Sequence, residues 1–67
     1  MVELPLAALD RIIRRNSGLR VSESASKELR TILEAEGEKI SRQAGEYAKH
    51  AGRKTIIDED IKLAVKK

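Results

Sequence analysis

The sequence of 67 residues has no cysteine, no tryptophan and no phenylalanine, and Tyr47 is its one aromatic side chain. Without cysteine there is no disulfide staple and no thiolate metal site, and the chain suits a reducing compartment. A single histidine, His50, cannot build a zinc centre. So short a chain hides only a modest share of its surface and usually needs a staple, a metal or a partner subunit. With the first two excluded, self-association is expected. The longest apolar run is a few residues, against the roughly 20 that cross a bilayer, so no membrane partner is expected. The opening MVELPLAALD lacks a basic segment followed by an apolar one and does not read as a signal peptide. No carboxylate pair, nucleophile with its base or glycine-rich phosphate loop is readable, so neither an enzyme nor a cofactor is expected. Asp58, Glu59 and Asp60 resemble a metal cluster, but a helix start that favours negative charge accounts for them.

What is present is charge, unevenly placed. Residues 1–22 carry four basic and two acidic side chains, residues 23–51 five and six, and residues 52–67 five and three. Positive charge therefore gathers at the two ends of the chain. Solvated faces are the plain reading of such charges; their clustering points to a nucleic acid or another anionic partner.

Apolar spacing predicts three helices of unequal length. Pro5 suits a first helical position, and Leu6, Leu9, Ile12 and Ile13 follow at helical intervals until Asn16-Ser17-Gly18 stops them, giving a helix near residues 5–15. Ser22 is a good N-cap, with Glu23 favourably placed in the next turn. Ala25, Leu29, Ile32, Leu33, Ile40, Ala44, Tyr47, Ala48 and Ala51 then form one stripe. It spans about 28 residues, or roughly 42 Å of helix, before Gly52. The last helix is DEDIKLAVKK, with either Ile57 or Asp58 as its cap. Two short helices cannot cover the whole stripe of the long one. A second copy crossing near Gly37 would cover it, which predicts an intertwined homodimer without a stable folded monomer.

This order, short helix, loop, long helix, loop, short helix, resembles the all-α histone fold over residues 1–67 as a single domain. The segments ELPLAALDRIIRR, RVSESA and YAKHAGRKTIIDEDIKLAVK are similar to archaeal histones. The resemblance implies a head-to-tail dimer that binds double-stranded DNA, wraps and compacts it with little sequence preference, and acts in the cytoplasm on the chromosome, or nucleoid. It also implies roles for individual residues. The loop at Arg20 and Val21 would lie beside the partner's loop of residues 53–56, so that Arg20, Arg53, Lys54 and Thr55 are displayed together, with Arg20 directed at the minor groove, Thr55 steadying it and DNA only a secondary contact for Arg53. Arg11, Arg14 and Arg15 would add a contact near the dimer axis, Arg11 toward the minor groove and Arg14, like Lys54, toward phosphate. The matching family pair makes Arg53 and Asp60 a structural salt bridge within one chain. Tyr47, His50, Asp60 and Leu63 match a second interface, through which dimers join into tetramers or longer stacks on DNA. His50 is otherwise a capping histidine at a helix C-terminus. Ile57 departs from the family, where lysine is common, and Asn16-Ser17-Gly18 replaces a turn of small residues.

Two other functions compete. A histone-fold adaptor or transcription subunit would pair with a different chain, a histone paralogue among the candidates; alone it should aggregate or stay unfolded. A sequence-specific helix-turn-helix regulator is disfavoured by the long central helix, since recognition helices are short and joined by tight turns.

Overall fold

The computed structural model describes residues 3–66 and contains three helices, α1 (Leu6–Ser17), α2 (Glu23–His50) and α3 (Asp58–Val65), with no strand among the described residues. The chain is all-α, as its periodicity predicts.

The helix ends differ from expectation by one or two residues, for local reasons. Pro5 is the N-cap of α1, in extended conformation, and not its first helical residue. The other end runs on through Ser17, because the side chains of Asn16 and Ser17 fold back to donate to the carbonyls of Ile12 and Ile13, both at 2.7 Å. Gly18 then takes φ 74° and donates its N–H to Arg14 O at 2.8 Å, closing the helix in the left-handed conformation that glycine adopts without strain. At the start of α2 the Ser22 hydroxyl accepts the Ala25 N–H at 3.1 Å. The cap of α3 is Ile57. Its side chain has no acceptor, so the Asp60 carboxylate does the reciprocal half of a capping box, accepting the Ile57 N–H at 3.0 Å. Lys66 caps the far end, so α3 stops short of the expected Lys67, which lies outside the described residues.

The chain divides within α2 into two compact units, Met1–Ala35 and Glu36–Lys67. In the first, Leu9 and Ser26 are the buried side chains among the described residues. Ser26 is buried where the stripe predicts Ala25, and Ala25 is exposed, so the stripe is rotated at this end of α2. Glu34 accepts the backbone N–H groups of both Glu3 and Leu4, which holds its carboxyl below the usual range. In the second unit Ala44, Ala48 and Asp60 are buried. The two alanines are small enough to let α3 approach the C-terminal half of α2, and a groove remains, lined by Glu36, Lys39, Ile40 and Gln43 of α2 and Ala64 and Val65 of α3.

Among the described residues, the fully buried apolar set is thus Leu9, Ala44 and Ala48. Ile32 and Leu33, in the middle of the predicted stripe, are 49% and 41% exposed, and Ile12, Leu19, Leu63 and Val65 also face solvent. Little apolar surface is thus fully removed from water within one chain to set against the entropy of ordering it.

Candidate nucleic-acid interface

The predicted DNA-contacting residues fall at two places. In the first unit, Arg11 and Arg14 are exposed on α1 and Arg20 is exposed in the loop that follows. Arg14 is paired with Asp10 one turn back, with its side chain 56% exposed; a pair this open is held weakly and yields to a stronger anion. Arg11, Arg15 and Arg20 make no ion pair among the described residues. In the second unit, Lys54 and Thr55 are exposed in the loop before α3.

The geometry of this second loop follows from how α2 ends. Gly52 takes φ 74° and donates to Lys49 O at 2.9 Å, while the next N–H, that of Arg53, reaches Ala48 O at 2.9 Å. This crossed pair of bonds is a Schellman motif, and it fixes the direction in which Arg53 leaves the helix. The Arg53 guanidinium donates from Nη1 to Asp60 Oδ2 at 2.8 Å and from Nη2 to Oδ1 at 3.0 Å, a two-pronged ion pair. Nη1 also reaches the Thr55 carbonyl at 3.1 Å. Arg53 is thereby committed inside its own chain, and the cations left to face solvent in this unit's loop reduce to Lys54. The Asp60 side chain is 2% exposed, and the guanidinium beside it, with the Ile57 N–H, holds its carboxyl at about 2, below the usual 3.8; the same pair raises Arg53.

The residues read as a second interface all belong to the second unit. Tyr47 is half-buried, His50 is exposed as the last residue of α2, and Leu63 is 50% exposed on α3. Asp60 stands apart from them in being buried and already bonded three times within its chain.

Comparison with known proteins supplies the family. Residues 2–65 match the family model described as "Histone-like transcription factor (CBF/NF-Y) and archaeal histone". The chain is 50% identical over 66 residues to a subunit of the archaeal histone HAN1 of Thermococcus zilligii, covering 98% of each chain. The chain belongs to this family. It is also 42% identical over 66 residues to the Methanocaldococcus jannaschii protein named "Probable archaeal histone 3", again covering 98% of each. The histone fold expected from the helix order is thus the fold of this chain, and its family consists of structural DNA-binding proteins rather than enzymes.

In this histone-fold chain the Arg53–Asp60 brace ties the second loop to α3, and its loss has a defined signature. Asp60→Asn is expected to lower the melting temperature, at fixed protein concentration, by on the order of 10 °C, because it leaves a partly buried guanidinium without its counter-charge. The sign with pH follows from the depressed carboxyl. The ionised form is favoured in the folded state, so the stabilisation is complete above pH about 4 and fades as pH falls toward about 2. Melting curves of the native and Asp60→Asn chains should therefore converge across that window. A gap that stays constant down to pH 2 would mean that the ion pair is not the source of the stability.

Two positions escape a reading of the sequence. Glu34 looks like one more solvated charge on a polar helix face, yet it anchors the segment before α1; no sequence signal marks it. Ser26 does carry a signal, since Ser22, Ser26, Leu29 and Leu33 share the three- and four-residue spacing of a helix face, but a serine is not counted in an apolar stripe.

Proposed function

We propose that the chain packages double-stranded DNA on the chromosome as a head-to-tail homodimer of one histone-fold domain per copy. Each dimer would hold the duplex through phosphate contacts and minor-groove arginines, with little sequence preference. One observation carries this reading. Arg20 precedes α2 and Lys54 follows it, and the midpoint of α2 (Glu23–His50) lies between Glu36 and Gly37, so that positions 20 and 53 are equally far from it along the chain. A two-fold axis at that midpoint sets the first loop of one copy beside the second loop of the other. Arg20, Lys54 and Thr55 then form one cationic end, and the dimer has two. The same axis covers Ile32 and Leu33.

Arginine suits the narrow minor groove because its planar charge is weakly hydrated. Readout there separates mainly A·T from G·C, which is the basis for weak sequence preference. Arg11 and Arg14 on α1 add a third contact near the axis, and the starts of α1 and α2 can offer backbone N–H groups to phosphate. Tyr47, His50 and Leu63 would carry dimers into tetramers or longer stacks, with Asp60 contributing only through whatever acceptor capacity its own chain leaves free. Mobility shifts on mixed-sequence duplexes test the central claim. Binding should weaken with salt at a slope of about −0.9 per phosphate contacted. Absence of binding to a random duplex at low salt would reject it.

A second reading, pairing with a histone paralogue, is supported by the name of the Thermococcus zilligii relative, which designates that protein one subunit of its histone. A protein that aggregates when purified alone and becomes soluble with a second histone-fold chain would favour it.

A further inference from the structure

The apolar stripe of α2 has a charged residue at its centre. Leu29, Leu33, Ile40 and Tyr47 follow one another at steps of four and seven, and in this register position 36 completes the face. That position is Glu36. It is exposed, and it lines the groove whose other walls include Ile40, Ala64 and Val65. No salt bridge holds it among the described residues. It also lies at the midpoint of the 28-residue helix. In the two-fold dimer proposed above, on which this inference rests, a residue at the midpoint of the crossing helix meets its own copy. Lys39 lines the same groove without pairing with Glu36, and from position 34 to 39 that single cation stands against Glu34, Glu36 and Glu38 in each copy.

We propose that Glu36 is a partner-selecting residue. It sets two carboxylates against each other across the axis of a self-pair, and so favours a second histone-fold chain that carries a cationic or apolar side chain at the matching position. Like charges brought together across an interface penalise one pairing more than they reward another, which is how specificity against the wrong partner arises. Self-association is then weaker than the apolar face alone would give, and it strengthens with salt, the reverse of the salt response of DNA binding.

Sedimentation equilibrium of full-length chains at low and high salt tests this. Glu36→Gln should tighten self-association by about tenfold at low salt and remove most of its salt dependence. Glu46→Gln, which removes the same charge far from the helix midpoint, should leave self-association as it is. Mixing the native chain with an isotope-labelled Glu36→Lys chain should yield mixed pairs in excess of a random mixture, read by native mass spectrometry. If the native chain dimerises but Glu36→Gln is no tighter, or the mixture is random, the selecting role is wrong and the dimer stands. If neither chain self-associates at any concentration, the dimer itself is wrong and this role goes with it.

Discussion

Replacing Leu33 with aspartate is expected to abolish folding, although this leucine is 41% exposed in the single chain. Were the chain self-sufficient, a change at so open a position would stay within about 0.5 kcal/mol. In the proposed dimer the same position is covered by the second copy, and burying an unpaired carboxylate there removes a transfer gain and adds a desolvation penalty, together more than about 4 kcal/mol. With Leu9 the one large apolar side chain fully buried among the described residues, that loss exceeds what is left to resist it. Far-UV circular dichroism should show Leu33→Asp without most of the native helical signal. The native protein should report the same dependence without mutation: its melting temperature should rise with protein concentration, because folding and association are one equilibrium. A compact chain that melts cooperatively, at an unchanged temperature, on high dilution would overturn obligate pairing.

The second large effect is on DNA. In the proposed dimer Arg20→Ala removes one cation from each end, so a single substitution would delete two contacts. Affinity for a mixed-sequence duplex should fall by about tenfold to a hundredfold at fixed moderate salt, and the salt slope should become shallower by nearly two. Lys39→Ala, which removes the same formal charge from the acidic middle of the chain, should change affinity by less than about twofold. Arg53→Ala belongs to a different class: its guanidinium is held by Asp60, so the variant should lose thermal stability before it loses DNA affinity. Equal losses of affinity for Arg20→Ala and Lys39→Ala would mean that the contact is diffuse attraction to net positive charge, with no role for paired loops.

The helices, the caps at Ser22, Gly18 and Gly52, and the family are all legible in the residues alone, because they depend on neighbours a few positions away or on residue identity along the whole chain. The helix ends are misplaced by one or two residues, at the end of α1 because the side chains of Asn16 and Ser17 fold back on the preceding turn, and at Pro5 because it caps α1 from outside. Arg20, Arg53 and Lys54 fall in the two loops read from the sequence, since charge and turn residues are both local properties. Which of those cations stay open to solvent is a matter of packing in three dimensions. Arg53 and Lys54 are adjacent and alike in charge, yet the Schellman turn at the end of α2 aims Arg53 at a buried Asp60 and leaves Lys54 in solvent. Packing likewise separates Ser26 from Ala25 and puts Glu34 beneath the N-terminal segment. The physical reason is the same in each case: periodicity tells which side of a helix is apolar, whereas hydrogen-bond partners and burial are set by what the fold brings alongside.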